Sequence, residues 1–340
     1  MTDKQILLTG ISGFIAKHCV IELLTHGYAV RGTVRNMNKA DEVRATLAKH
    51  CDIAGLQIVV ADLSADAGWN EAMQGIAGVL HVASPFPAAE PTNPDEVLRP
   101  AIEGTMRVLK AAIANHVPRF VQTSSSVAII YGHPHSRTAP FTEDDWTDVG
   151  NPGVSTYARS KTLAERAARD FIAQAKPDMH YSTINPGFVL GPLLDQDIGT
   201  SGEVIRMFLR GKYPGAPKLS FPVVDVRDIA KMHRLALETA EPSGGRYMGV
   251  SETAWFIEMM RPIKARLGRS ARKVPSYEMP NFLVRLVAIF DSAARGIVPE
   301  LGYLGKVDNR RTRKALGMEF IPVTESAPAI AQSLVDLKLV

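Results

Sequence analysis

The sequence has few cysteines and shows no secretion signal. Only two cysteines, Cys19 and Cys51, occur among 340 residues, and their spacing fits neither a metal site nor a redox motif. We therefore expect two reduced, buried thiols in a cytoplasmic protein. The opening residues, MTDKQILLT, lack a charged leader, a long apolar segment and a small-residue cleavage site, so secretion is not expected.

Long uninterrupted hydrophobic runs are also lacking. The longest apolar stretch, FLVRLVAIFDSAARGIV from Phe282 to Val298, is interrupted by Arg285, Asp291 and Arg295. These charges and the length of the stretch argue against a membrane span, and we predict an amphipathic helix with one buried face. No membrane partner is expected.

A strong excess of one charge sign is absent as well. The net charge is only +4, from 39 basic and 35 acidic residues. Basic residues cluster at 261–273 and 306–314, but without interleaved aromatic residues or a known motif they indicate solvated helix faces rather than a nucleic-acid partner. A hydrophobic content of 46% predicts a globular protein with an ample core, and the length favours a large domain with a smaller one appended.

The first 185 residues alternate short strand-like runs with longer helical segments. The predicted strands are QILLT, AVRGTV, LQIVVA, AGVLHVA, RFVQTS and YSTINP. The longest predicted helices are Phe14 to His26, Pro94 to Asn115 and Thr156 to Ala175. This alternation predicts an α/β fold with a doubly wound parallel sheet, in which ligands bind at the carboxyl ends of the strands.

The pattern changes after Pro186. Loops rich in glycine and proline follow, and then FPVVDVRDIAKMHRLALETA is predicted to return one strand and one helix to the main sheet. We therefore assign residues 1–186 and about 220–241 to a nucleotide-binding domain. Residues from about 187 to 219 and from 242 to 340 are assigned to a smaller, mostly helical substrate lid.

A glycine turn follows the first strand directly. Gly10, Ser12 and Gly13 lie between QILLT and a helix that starts with Phe14 and Ile15. Glycine permits close approach of a ligand, and the helix N-terminus presents free backbone N–H groups to an anion. At this position the turn predicts a Rossmann-type dinucleotide site.

The residues after the second and third strands indicate which dinucleotide binds. Arg35 and Lys39 stand where an acidic residue usually meets a free ribose 2′-hydroxyl, and two cations suit a 2′-phosphate. We therefore favour NADP(H) over NAD(H). Asp62 and the adjacent Leu63 are assigned to the adenine end, with a plain N-cap as the alternative for Asp62.

The segment STYARSKTLAE places Tyr157 and Lys161 one helical turn apart. A phenol is a weak acid at neutral pH, and we expect the neighbouring ammonium to lower its pKa and to hold the nicotinamide ribose. One hydroxyl of Ser124, Ser125 and Ser126, in VQTSSSVAIIYG, is expected to position a reacting carbonyl oxygen.

No metal is expected at the reacting centre. His133 and His135 in YGHPHSR lie in a proline-containing loop without a carboxylate or thiol beside them. A surface loop is therefore favoured over a metal site.

Together, the glycine turn, the Tyr157–Lys161 pair and the serine cluster resemble the extended short-chain dehydrogenase/reductase superfamily. The resemblance covers the first 185 residues and continues through NPGFVLGP and VDVRDIA. It implies that Ser125 is the catalytic serine, with Ser126 as the alternative. It also implies further cofactor contacts at Val82, Ala83, Ser84, Pro186, Gly187 and Val189.

Within that superfamily the chain is similar to dihydroflavonol 4-reductase-like and methylglyoxal reductase-like enzymes, on the basis of SGFIA, GTVR, VASPF and PAIEG. The resemblance implies an NADPH-dependent reductase of ketones or aldehydes, reversible as an alcohol dehydrogenase. The alternatives are a nucleotide-sugar epimerase or dehydratase, a non-catalytic NADP(H) sensor and a membrane-associated steroid-type dehydrogenase.

Aromatic residues in the later loops are candidates for an apolar substrate pocket. We assign Phe86, Phe188, Tyr213 and Ser126 to a small-molecule carbonyl substrate, while packing between lid and main domain is the alternative for the rings. The sequence leaves the choice between monomer and homodimer open.

Overall fold

The first half of the chain contains the predicted alternation of strands and helices. The computed structural model describes residues 4–84, 93–241 and 243–340. Its first six strands are β1 (Gln5–Leu8), β2 (Ala29–Val34), β3 (Leu56–Val60), β4 (Gly78–His81), β5 (Arg119–Thr123) and β6 (His180–Pro186). The helices between them are α1 (Phe14–Thr25), α2 (Ala40–Leu47), α3 (Trp69–Met73), α4 (Asp95–Ala114), α5 (Val127–Ile130) and α6 (Thr156–Ala175). All six predicted strands and the three long predicted helices are confirmed.

The second half consists of short strands and mostly short helices. The strands are β7 (Phe188–Leu190), β8 (Ala216–Pro217), β9 (Ser220–Asp225), β10 (Gly245–Gly249), β11 (Glu252–Trp255) and β12 (Glu278–Met279). The helices are α7 (Gly199–Leu209), α8 (Val226–Glu238), α9 (Phe256–Leu267), α10 (Asn281–Val287), α11 (Ser292–Ile297), α12 (Arg310–Leu316) and α13 (Val323–Asp336).

Seven parallel strands form the main sheet, in the order β10-β6-β5-β4-β1-β2-β3. The central strands are covered on both faces, because Ile6 and Leu8 belong to one hydrophobic cluster and Leu7 to another. The strand order reverses between β1 and β4, and a ligand crevice is expected at the carboxyl ends there. The predicted doubly wound α/β fold is thus confirmed.

The strand predicted to return to the main sheet does not do so. β9 lies in a separate three-stranded sheet, in the order β11-β9-β7, and β10 is the seventh strand of the main sheet. β7 pairs with β9, and a glycine is required beside this pairing, because a Cβ on Gly187 would lie only 2.2 Å from the Pro222 carbonyl oxygen. The helix of the same unit, α8, does pack on the main sheet and against α1. Since β10 falls within 242–340, the division into two domains stays a proposal.

The apolar stretch from Phe282 to Val298 is not a single amphipathic helix. It forms α10 and α11, and the chain between them turns where Arg295 Nε donates to the Ala288 carbonyl at 3.2 Å. Val284 is buried, whereas Phe282 and Phe290 are 69% and 88% exposed, so the predicted buried face is small. Among the described residues no helix combines the length and apolarity that a membrane span requires.

Both cysteines are free thiols. Cys19 is buried in α1, as predicted, whereas Cys51 is only half-buried.

Candidate active site

The glycine turn lies at the carboxyl end of β1, where the strand order reverses. Gly10 has a φ of +68°, and a Cβ there would lie 2.9 Å from the Cβ of Ala83. Gly13 is the N-cap of α1, with no side chain capping the helix and no acidic residue in its first turn. The N–H groups of the first turn of α1 therefore lie at an uncapped, electropositive helix end, which fits the pyrophosphate of a dinucleotide.

Val82, Ala83 and Ser84 form the opposite wall of this turn. They follow β4 directly and are half-buried, and the Ala83 N–H donates to Thr9 Oγ1 at 3.0 Å. Thr9 Oγ1 also lies 3.0 Å from Nδ1 of the buried His81. The structure thus brings the predicted contacts Gly10 and Ala83 together at one edge of the sheet.

Arg35 and Lys39 are both exposed beyond the end of β2. The Lys39 ammonium bonds Glu42 at 2.7 Å, which raises its pKa, so Lys39 already has an anionic partner. Arg35 is near Asp62, whose pKa is lowered first by hydrogen bonds from Ser64 and additionally by the Arg35 charge. Of the two predicted cations, Lys39 is thus bonded directly to a carboxylate, whereas Arg35 has one, Asp62, in its neighbourhood.

The Asp62 carboxylate is engaged locally. It accepts from the backbone N–H and the hydroxyl of Ser64, both at 2.8 Å. Leu63 contacts Gly104 of α4, and its carbonyl accepts from Arg107. Asp62 is not the predicted helix N-cap, because α3 begins after Gly68; its carboxylate closes a local turn instead.

Ser125, Tyr157 and Lys161 meet at the same edge of the sheet. Tyr157 and Lys161 lie one turn apart near the N-terminus of α6, which begins at the Ser155 cap. The Ser125 hydroxyl, just beyond β5, is hydrogen-bonded to the Tyr157 phenol. In this arrangement the Tyr157 phenol can donate a proton, with the Ser125 hydroxyl and the Lys161 ammonium as its neighbours.

The pKa of Tyr157 is raised overall and not lowered as predicted. Burial raises the pKa of the Tyr157 phenol to about 12, and the opposing, lowering contribution comes from the Ser125 hydrogen bond. Burial destabilises the phenolate by more than the Ser125 hydrogen bond stabilises it, so Tyr157 stays protonated near neutral pH.

Burial acts on Lys161 as well. It lowers the pKa of the ammonium to about 8, although the charge of Glu165 raises it. Burial also lowers the pKa of His81 to about 3, with a smaller contribution from Lys161, so His81 is neutral beside the lysine.

The other two serines have structural partners. Ser124 Oγ donates to Glu165 Oε2 at 2.5 Å, so its proton is engaged by that carboxylate. The Ser126 N–H donates to the Pro186 carbonyl at 2.8 Å, and Ser126 is the N-cap of α5. Ser125 is therefore favoured over Ser126 by its contact with Tyr157.

Pro186, Gly187 and Val189 lie where β6 passes into β7, next to the serines. The Pro186 carbonyl also accepts from Ser125 Oγ at 3.4 Å, and Gly187 N–H donates to the Gly249 carbonyl at 2.9 Å. These residues lie at the edge expected for the nicotinamide end.

The aromatic residues assigned to the substrate have different surroundings. Phe188 packs on Phe221 with 5.1 Å between ring centroids, and Tyr213 packs on Phe208 at 5.4 Å. Both are half-buried against the larger hydrophobic cluster, which is the alternative packing role. Phe86 lies outside the described residues.

The two histidines of YGHPHSR have protein partners. His133 Nε2 lies 3.0 Å from the Trp146 carbonyl, and His135 stacks on Tyr303 at 4.2 Å. Among the described residues, no three His, Cys, Asp or Glu side chains converge on one point.

Sequence reasoning missed several residues of the site. Tyr131 is half-buried and electrostatically coupled to Tyr157, and its own pKa is raised to about 12 by burial. Glu165 and Asn185 lie directly behind the serines, with Asn185 Nδ2 donating to the Ser125 carbonyl at 3.2 Å. The sequence features that could have indicated them are the position of Glu165, four residues after Lys161, and the position of Asn185 at the end of a hydrophobic strand.

Comparisons with known proteins identify the family of the chain. The profile of the NAD dependent epimerase/dehydratase family matches residues 6–248. The chain is 37% identical to the ketoreductase azaE of Aspergillus niger, over 93% of each chain. It is 34% identical to a putative NADPH-dependent methylglyoxal reductase, GRP2, of Candida albicans, over 96% of each chain.

A solved structure extends the likeness to three dimensions. The Gre2–NADPH complex from Candida albicans superposes with a TM-score of 0.82 at 28% identity, covering 98% of this chain and 99% of that one. The chain therefore belongs to the NAD-dependent epimerase/dehydratase family, the extended short-chain dehydrogenase/reductases, as an NAD(P)-dependent oxidoreductase.

Proposed function

We propose that the protein is an NADPH-dependent reductase that converts ketones or aldehydes to alcohols. The observation that carries this proposal is the hydrogen bond between Ser125 and Tyr157, with Lys161 one turn away, beside the cofactor-binding turn. The similarity to a ketoreductase and to a methylglyoxal reductase supports the direction of the reaction.

The residues of the chain supply the proton and the alignment. A bound reduced nicotinamide supplies the hydride that reaches the carbonyl carbon. Tyr157, protonated at neutral pH, donates its proton to the carbonyl oxygen, and Ser125 donates a hydrogen bond that fixes this oxygen. The Lys161 ammonium stabilises the phenolate that remains until solvent returns a proton.

NADPH is proposed as the preferred cofactor. Arg35 is exposed at the end of β2 with no acidic residue in the segment VRNMNK, so a ribose 2′-phosphate meets a cation there and no carboxylate from that segment. Lys39 is a weaker candidate because Glu42 already pairs with it. The Gre2 complex with NADPH shows that a structural relative binds this cofactor.

The test is a substrate and cofactor panel. Aromatic ketones, α-ketoesters and small aldehydes are mixed with the protein and either NADPH or NADH, and absorbance at the nicotinamide band is followed. The proposal predicts stoichiometric NADPH oxidation with at least one carbonyl class. An epimerase would turn over a nucleotide sugar without net oxidation, and that result would overturn the proposal.

A further inference from the structure

A buried carboxylate lies directly behind the reacting residues. Glu165 is fully buried and follows Lys161 by one turn of α6. Its Oε2 accepts from Ser124 Oγ at 2.5 Å and from Asn185 Nδ2 at 2.8 Å. Its Oε1 accepts from Arg246 Nε at 2.7 Å, and a buried carboxylate with this many donors is fixed in position.

These contacts reach the backbone that carries Ser125 from two sides. Ser124 precedes Ser125 in the chain, and Asn185 donates both to Glu165 and to the Ser125 carbonyl. Glu165 therefore links the ends of β5 and β6 to the helix that carries Tyr157. A shift of this carboxylate would move the serine relative to the phenol.

Two arginines balance the Glu165 charge. Arg169 Nε donates to Oε1 at 3.0 Å from the next turn of α6, and Arg246 reaches it from β10. Arg246 also stacks on Trp146 at 3.7 Å and donates to the Ala128 carbonyl at 3.1 Å. The carboxylate is thus connected to the loop between α5 and α6 as well as to the two strands.

We propose that Glu165 is a positioning residue for the reduction: it fixes Ser125 against Tyr157, and its negative charge stabilises the Lys161 ammonium. This inference rests on the proposed reductase function. It assigns no contact between Glu165 and the substrate, the cofactor or the reacting atoms.

The charge balance around Glu165 supports both parts of this role. Burial by itself would raise the pKa of Glu165, but the charges of Arg246 and Arg169 and the hydrogen bonds from Ser124 and Asn185 lower it overall. Glu165 is therefore ionised at neutral pH. Tyr181, which lies under Arg169 and bonds Gln122, is kept neutral by burial, which raises its pKa.

Lys161 faces few other charged groups. Tyr157 on its own helix is protonated, and His81 at the end of β4 is neutral because burial lowers its pKa to about 3. The charge that raises the pKa of Lys161 is that of Glu165. Neutralising Glu165 is therefore expected to let the ammonium lose its proton at lower pH.

The main variant is Glu165→Gln, which keeps the shape and removes the charge. With NADPH and the best carbonyl of the panel, we expect kcat to fall about tenfold or more, because the fixed charge and the serine alignment are both disturbed. We expect KM for NADPH to change by less than about twofold, and the alkaline limb of the kcat profile to move to lower pH. Asp170→Asn, on an exposed position of the same helix, is the matched control.

Further variants separate charge from packing. Glu165→Asp restores the charge with a shorter reach, so the alkaline limb should return toward its original pH while kcat recovers only in part. If circular dichroism shows that Glu165→Gln is unfolded, Ser124→Ala tests whether Glu165 positions Ser125. This variant keeps every charge, so we expect a lower kcat and an alkaline limb at the same pH as in the parent protein. An unchanged kcat in Ser124→Ala would then overturn the proposal.

Two results with folded Glu165→Gln would also overturn it. One is a kcat within about twofold of the parent protein, and the other is a lower kcat with an unmoved alkaline limb, which a merely structural role would give. An independent readout is a ¹³C NMR titration of lysine side chains, with Lys161 assigned through Lys161→Arg. A lower titration midpoint of Lys161 in Glu165→Gln supports the effect of the Glu165 charge on Lys161, even if the parent protein oxidises no NADPH. The titration therefore distinguishes failure of this inference from failure of the proposed function.

Discussion

Lys17 and Asp195 form an ion pair between the cofactor-binding helix and the loop after β7, with Nζ 2.5 Å from Oδ1. The lysine side chain is only 2% exposed and the aspartate 18%. Thr46 Oγ1 adds a long contact of 3.4 Å to the same carboxylate. The pair joins the first helix to a segment 178 residues further along the chain.

Replacing this aspartate should destabilise the protein. Asp195→Asn removes the nearer carboxylate of a buried ammonium and leaves only the more exposed Asp197 at 3.9 Å, so we expect a loss of about 2 kcal/mol in the free energy of unfolding. Urea denaturation followed by circular dichroism measures it. Asp41→Asn, on an exposed position of α2, should unfold like the parent protein, and equal midpoints for both variants would contradict a structural role for the pair.

Tyr157→Phe should remove the proton donor and little else. We expect kcat to fall by about 10²–10⁴-fold, because general acid catalysis contributes about that much. Binding of NADPH, followed by fluorescence, should be unchanged, because the glycine turn and Arg35 are untouched. If the variant kept most of its activity, a different group would have to donate the proton.

Ser125→Ala and Ser126→Ala should differ in their effect. Ser125 contacts Tyr157, whereas the described contacts of Ser126 are made by its backbone at the start of α5. We expect a loss of about 10²-fold in kcat for Ser125→Ala and less than about fivefold for Ser126→Ala. The reverse order would identify Ser126 as the catalytic serine.

Activity should fall on the alkaline side near the pKa of Lys161. The ammonium is needed in its charged form, and burial lowers its pKa to about 8, so the charged fraction decreases as the pH rises through that value. Tyr157, with a pKa of about 12, loses its proton well above this range. A profile of kcat/KM from pH 6 to 10 checks this order, and a flat profile would exclude a requirement for the lysine charge.

Arg35→Ala should affect NADPH and NADH differently. Without the guanidinium, a 2′-phosphate loses its cationic partner, and we expect KM for NADPH to rise about tenfold. KM for NADH should change little, since its ribose carries no phosphate at that position. Lys39→Ala serves as the comparison, and a smaller effect is expected because Lys39 already pairs with Glu42.

The sequence predicted the first half of the fold well because its signals are local. Helix α6 follows from the Ser155 cap, whose side chain accepts from the Ala158 N–H at 3.2 Å, and from its amphipathic pattern. The Tyr157–Lys161 pair then follows from helical spacing alone. These features need no knowledge of distant residues.

The wrong predictions depend on contacts between distant segments. β10 completes the main sheet by pairing with β6, whereas β9 pairs with β7, and no local pattern encodes either pairing. The direction of the Tyr157 pKa depends on how deeply the phenol is buried, and spacing does not give burial. The ion pair of Glu165 joins residues 81 positions apart. Such contacts become visible only when the chain is folded.

The junction at Gly187 has a consequence for enzyme engineering. β6 and β7 are separated by this one residue, and the Pro186 carbonyl before it accepts from Ser126 N–H at 2.8 Å. Mutant libraries that alter β7 or β9 would therefore also disturb the backbone next to the reacting serine.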